Sequence, residues 1–139
     1  MSTEQNKARV RRALDHFNRG DLEPYLDLYA EDAVLHDLGI EPGVENIRRF
    51  YEGFQQAFPD AQVTTDDLVA EGDRIAERFT IRATHRGDFQ GIPPTGKKIT
   101  MSGITILRFA GGKCVERWTQ ADFLGLMQQL GVVPTPEQA

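Results

Sequence analysis

The chain of 139 residues has one cysteine, Cys114, and three dispersed histidines, His16, His36 and His85. One cysteine cannot close an intrachain disulfide, and no Cys/His spacing of a structural zinc site can be written, so no metal is expected. There is no apolar run approaching a membrane span, and the polar N-terminus lacks the short hydrophobic region of a secretory signal. A cytoplasmic protein without a membrane partner is expected. Basic residues are in deficit, 16 Lys and Arg against 21 Asp and Glu, and the resulting net charge of −5 repels phosphate backbones. Nucleic acid is therefore not expected as a partner. Internal repeats and low-complexity segments are absent, and the length is that of one domain spanning 1–139, with an ordered core over about 3–131 and a short Pro-containing tail expected to fray.

The hydrophobic fraction of 40% beside 27% charged residues is that of a globular domain. Over 2–19, Val10, Leu14 and Phe17 recur at helical spacing with Ala13 beside them, Ser2 and Gln5 fit a capping box, and Gly20 ends the helix. Lys7, Arg9, Arg11 and Arg12 lie mostly off that stripe and read as a solvated face, with His16 also at the surface. A shorter helix over 21–29 turns Leu22, Leu26 and Tyr29 inward and holds Pro24 in its first turn. An extended segment, 33–37, runs into a loop broken by Gly39, Pro42 and Gly43, which leaves His36 at a strand end as either a proton carrier or a satisfied polar residue. The third helix, 44–58, carries Val44, Ile47, Tyr51, Phe54 and Phe58 on one stripe and stops at Pro59.

From Ala61 the period becomes alternating, the mark of a sheet. Strands over 63–71 and 74–86 form a hairpin through Gly72 and Asp73. In the second strand Ile75, Phe79, Ile81, Ala83 and His85 share one face together with Glu77, while Ala76, Arg78, Thr80, Arg82, Thr84 and Arg86 share the other. His85 continues an apolar row and reads as a hydrogen-bonded core histidine. In the loop 87–97, Gly91, Gly96 and Lys97 match the start of a phosphate-binding loop, but Lys98 replaces the required Ser or Thr, Pro93 and Pro94 remove two amide donors, and a strand follows instead of a helix. Nucleotide binding is not expected. The strand over 99–109 breaks its alternation at Ser102 and Gly103, where a bulge or a close backbone approach is expected. Gly111 and Gly112 turn the chain into a last strand, and a short helix with Phe123, Leu126, Met127 and Leu130 ends at Gly131. The fold class is α+β, with a curved antiparallel sheet wrapped around the N-terminal helices as a conical barrel and a short C-terminal helix. A cone open at one end supplies a pocket at its mouth.

The last strand carries the only tryptophan. Val115, Arg117 and Thr119 fall on one side of it, and Cys114, Glu116, Trp118, Gln120 and, if the extension persists, Asp122 on the other. An aromatic, an amide and an acid on one face suit a small-molecule site, with Leu35, Phe50, Phe54, Phe89, Ile92 and Met101 as further lining. Asp122 is also placed to cap the next helix, and on residue chemistry alone that role is the commoner one.

Several stretches carry a family likeness: Phe17-Asn18-Arg19-Gly20-Asp21-Leu22, Ala57-Phe58-Pro59-Asp60, Leu68-Val69-Ala70-Glu71-Gly72-Asp73-Arg74 and Thr84-His85-Arg86-Gly87. The likeness is sharpest at Gly91-Ile92-Pro93-Pro94-Thr95-Gly96-Lys97 and ends in Trp118 with Asp122 four residues on. Through them the chain resembles the SnoaL-like polyketide cyclases, within the nuclear transport factor 2-like superfamily, from its first helix to Leu130. The resemblance implies a conical pocket, a homodimer, no cofactor and no metal, and an intramolecular aldol ring closure on a hydrophobic polyketide-like carbonyl compound. It further implies that Asp122 is the general acid/base and that His36 and His85 are pocket histidines, whereas Arg117 departs from the histidine often found before the tryptophan. The acid near Trp118 points to an enzyme. Arg117 and the lack of a second certain acid point to the alternative, a noncatalytic protein that binds a small hydrophobic or aromatic ligand; an isomerase or hydrolase of the same fold is the other alternative. The outer sheet face, where Arg78, Thr80, Arg82 and Thr84 alternate outward, is the expected dimer surface, with Glu116 or Asp67 as acidic partners.

Overall fold

The computed structural model describes residues 2–134, so the end of the tail lies outside the described residues. Helix α1, Thr3–Asn18, starts with the expected capping box: the Gln5 amide donates to Ser2 Oγ and the Ser2 amide to Gln5 Oε1, each at 3.1 Å. Val10, Ala13 and Phe17 bury its apolar stripe. At its end the Asn18 side-chain amide accepts from Val63 N–H at 2.8 Å and donates to Val63 C=O at 2.9 Å, standing in for a strand beside the sheet edge. Helix α2, Leu22–Leu26, is shorter than its periodicity suggests, and Tyr29 opens strand β1, Tyr29–His36. Sheet pairing overrides the helical pattern there: Leu28 C=O accepts from Cys114 N–H at 2.8 Å. Helix α3 spans Val44–Ala57, followed by β2, Gln62–Glu71, β3, Arg74–Thr84, β4, Lys98–Ala110, β5, Lys113–Ala121, and α4, Phe123–Leu130. No helix is long and apolar enough to cross a membrane among the described residues.

The strand order is β1-β5-β4-β3-β2. Strands β2 to β5 form an antiparallel meander, but β1 runs parallel to β5, so the curved sheet is mixed and not purely antiparallel as expected. The reason is connectivity: β1 reaches β5 only after a helix and three strands, and a pair joined by so long a crossover need not be antiparallel. Helices α1 to α3 lie on the concave face, and α4 packs against β4. There Gln129 donates to Thr100 C=O and accepts from Thr100 N–H, each at 2.8 Å, covering the edge of β4 that β5 leaves unpaired.

Two details of the sheet position the site. Between β4 and β5, Arg108 faces Glu116 while Phe109 faces Cys114, so Val115 is an extra residue in a bulge. Because side chains alternate with period two, the extra residue puts Cys114 and Arg117 on the same inward side. Of the bulge or close approach anticipated at Ser102 and Gly103, the close approach is present, since those residues pair regularly with Thr80 and Phe79. A Cβ at Gly103 would lie 2.6 Å from the Phe79 ring and 2.8 Å from Gln120 O. Strand β3 ends at Thr84, two residues early, because the Thr84 N–H and hydroxyl bond the Asp60 carboxylate at 2.7 and 2.6 Å. Thr84 is consequently buried and does not belong to an outward-facing surface.

Candidate active site

The concave sheet face and the three N-terminal helices enclose a cavity. Phe17, Tyr25, Tyr51 and Phe54 come from the helices, Phe79, Ile81 and Met101 from the sheet, and Leu38, Phe89 and Phe123 from the loops and helix end around the mouth. The rings interlock edge to face, Tyr51 lying 5.0 Å from Tyr25 and 6.0 Å from Phe17 between centroids, an arrangement aromatic quadrupoles favour. The space left between these side chains is about 80 Å³. Sites that enclose drug-sized ligands hold roughly 300–1,000 Å³, so a polycyclic ligand enters only as the rim side chains move apart.

Two charged residues interrupt the apolar wall. Glu77 is 2% exposed and accepts from the Thr65 hydroxyl at 2.6 Å. Burial pushes its carboxyl above the usual glutamate value, against the downward pull of the Thr65 hydrogen bond and of Arg117. Arg117, turned inward by the Val115 bulge, donates from Nε to Thr105 Oγ1 at 2.7 Å and from Nη1 to the Tyr29 and Tyr25 hydroxyls at 2.6 and 3.2 Å. Those two hydroxyls are themselves 2.7 Å apart, and burial keeps both phenols well above their ordinary pKa and therefore neutral. Desolvation opposes the Arg117 charge, but Tyr29, Tyr51, Tyr25 and Glu77 around it outweigh that and keep it protonated. Cys114 lies behind this cluster, its thiol pushed up to about 11 by burial, which removes it as a nucleophile at neutral pH.

The residues singled out from the sequence are not gathered in this cavity as a group. Phe50, Phe54, Phe89 and Met101 lie on its wall, whereas Leu35 and Ile92 pack in or against the core without reaching it. The expected face of β5 is reversed by the bulge: Arg117, Thr119 and Ala121 line the cavity, and Trp118 and Gln120 point to the outer face. There Trp118 stacks on His36 at 5.2 Å and 15°, with the Arg74 guanidinium 5.3 Å from its ring, and Gln120 is exposed. His36 Nε2 meets Glu116 Oε2 at 2.8 Å, and this bond, with Arg108, holds the Glu116 carboxyl below its usual range. His85 is fully buried against Phe58 and outside the cavity lining; the Thr95 amide donates to its Nδ1 at 3.2 Å, which assigns the ring proton to Nε2. Asp122 sits at the rim between two lining residues, Ala121 and Phe123, is exposed, and accepts from Gly125 N–H at 2.9 Å as the cap of α4. Glu77 and Arg117 are not among the site residues expected from the sequence, although a charged residue inside the apolar row of β3 is a visible signal for the first.

An apolar cavity holding one buried acid and one guanidinium, closed between helices and a curved sheet, defines a protein built around a small organic ligand. The chain belongs to the SnoaL-like polyketide cyclase family, whose model matches residues 8–130. It is 26% identical over 134 residues to aklanonic acid methyl ester cyclase DnrD of Streptomyces peucetius, covering 92% of each chain. The fold matches AclR of Streptomyces galilaeus, a candidate hydroxylase, with a TM-score of 0.88 and 34% identity over 96% of this chain and 85% of that one. IdmH of Streptomyces antibioticus, a candidate polyketide cyclase, matches with a TM-score of 0.77 and 36% identity over 92% of this chain and 99% of its own.

Proposed function

We propose that this protein catalyses a cofactor-independent ring closure of the intramolecular aldol type on a hydrophobic, polyketide-like carbonyl compound, with Glu77 as the proton carrier. The observation that carries the reading is Glu77 itself, a carboxyl in the wall of an aromatic cavity, with burial raising its pKa. An aldol closure needs a base to take the proton beside one carbonyl and an acid to protonate the alkoxide formed at the other. A single carboxyl can do both in turn when its pKa lies nearer the working pH than that of a free carboxylate. The proton removed from carbon is the one returned to oxygen, so no net acid or base is consumed. General acid/base catalysis supplies roughly 100- to 10,000-fold, and the aromatic walls contribute by holding the reacting carbons together. The identity to a named ester cyclase and to a candidate cyclase supports the reaction class.

The experiment compares Glu77→Gln with Asp122→Asn in single-turnover assays on a polyketide-type diketone. Glu77→Gln should lose at least about 100-fold in rate while Asp122→Asn stays near wild type. The reverse outcome, with both variants folded, would move the chemistry to the rim carboxylate of Asp122. A homodimer through the outer sheet face accompanies this reading. Val69, Ala76, Ile106 and Trp118 form one outward row across four strands, and Ile104 adjoins it; Val69 and Ile104 are 62% and 52% exposed. An apolar row of this kind suits a self-complementary contact. Asp67 and Glu116, anticipated as partners across that contact, are already bonded within the chain to Arg78 and Arg108.

A further inference from the structure

Proton transfer at Glu77 leaves the Arg117 guanidinium in the cavity wall unused. Its hydrogen bonds go to hydroxyls alone, from Nε to Thr105 and from Nη1 to Tyr25 and Tyr29. The arginines at the surface are differently served: Arg48, Arg78 and Arg108 each meet a carboxylate, and no ion pair among the described residues includes Arg117. The hydroxyl dipoles and, from a distance, Glu77 offset the cost of withdrawing this cation from water, but among the described residues no carboxylate is in contact with it. Glu77 shares the cavity wall without touching the guanidinium and is hydrogen-bonded to Thr65 instead. Among the described residues nothing accepts from Nη2, and Arg117 lines the open space of the cavity. A guanidinium held by hydroxyls in the wall of a mostly apolar cavity, with no carboxylate in contact, is suited to a planar oxyanion.

We propose that Arg117 is the seat of an anionic group on the ligand, so that the cavity takes a hydrophobic aromatic carboxylic acid in preference to its neutral ester. The carboxylate accepts from Nη2 and the rings lie among Phe17, Phe54 and Phe79. The tyrosine pair and Thr105 fix the guanidinium in place, which limits the freedom lost when the ligand binds. The inference rests on the cavity being the substrate site, as proposed above, but not on the reaction carried out there.

The test is equilibrium titration of the wild-type protein with naphthoate and with methyl naphthoate at neutral pH, followed by fluorescence. The acid should bind at least about tenfold more tightly than the ester, the range expected for a charge-assisted bond. Arg117→Gln should abolish the preference with little effect on ester affinity, and Arg117→Lys should restore part of it. Equal affinities in the wild type, no binding of the acid at millimolar concentration, or a preference undiminished in folded Arg117→Gln would overturn the proposal. The wild-type comparison decides the matter even if both Arg117 variants fail to fold. Glu77→Gln serves as the separating control: a retained acid preference without turnover leaves the anion seat standing, whereas turnover without any preference removes the seat and leaves the reaction.

Discussion

Asp122 caps α4 in an unusual way, and the energetics can be worked out with two substitutions and their combination. The cap is a single carboxylate bond to Gly125 N–H, and the carboxylate occupies the space of a missing side chain: an ideal Cβ at Gly125 would lie 2.2 Å from Asp122 Oδ2. Asp122→Ala removes the cap, a loss of about 1 kcal/mol, which lowers Tm by about 4 °C in a domain of this size. The helix stays docked, because Leu126 and Leu130, at 1% and 3% exposure, contribute about 1.5–3 kcal/mol each. Gly125→Ala gains about 1 kcal/mol of helix propensity but evicts the carboxylate, so the two effects should nearly cancel. In the Asp122→Ala background the same substitution has nothing to evict and should stabilise by the full amount. Thermal unfolding of wild type, both single variants and the double variant closes the cycle, with an expected coupling of about 1 kcal/mol. Equal effects of Gly125→Ala in the two backgrounds would show that the carboxylate does not sit over Gly125 and would refute the capping geometry.

The pKa of Glu77 has a stability signature. A carboxyl whose folded pKa is raised costs stability as pH climbs from its unfolded value, about 4.3, through the folded one, so Glu77→Gln should melt above wild type at neutral pH and lose that advantage under acid conditions. Thermal melts across that range check it, and a variant less stable at every pH would contradict the burial of an ionising acid. Sedimentation at micromolar concentration should show a dimer, and Ile106→Arg on the outer row should yield a monomer; a monomeric wild type removes the interface. Gly87→Ala should destabilise by about 1–3 kcal/mol in chemical denaturation, because its Cβ would fall 2.1 Å from the Gln56 carbonyl oxygen, a backbone atom with little room to retreat.

Where local chemistry governs, the sequence was a sufficient guide. The Ser2 and Gln5 capping box, the stripe of α3 and the alternation of β3 depend on residues close in the chain, and each appears where its pattern placed it. The cavity depends on register, which local patterns do not contain. One extra residue at Val115 exchanges the faces of β5, so Arg117 takes the inward position that strict alternation gave to Trp118. The start of β1 was hidden for a similar reason, since Tyr29 follows a helical pattern until the distant Cys114 claims its neighbour Leu28 as a partner. Glu77 was legible as an acid in an apolar row, but only the surrounding aromatic cavity distinguishes it from a buried acid of purely structural use.

The parallel pairing of β1 with β5 also bears on the order in which the molecule comes into being. Strands β2, β3 and β4 are joined by local connections and can assemble while the chain is still being made, but β1 must wait for a partner near the other terminus. During synthesis Tyr29 is made long before Arg117, and until the final strand arrives its hydroxyl lacks the guanidinium it serves. The charged end of the cavity is therefore completed last, at a long-range step with a high entropic cost of closure. Variants that weaken β5 should accordingly accumulate as collapsed chains with a formed meander and an open, unpaired β1, the species most exposed to aggregation.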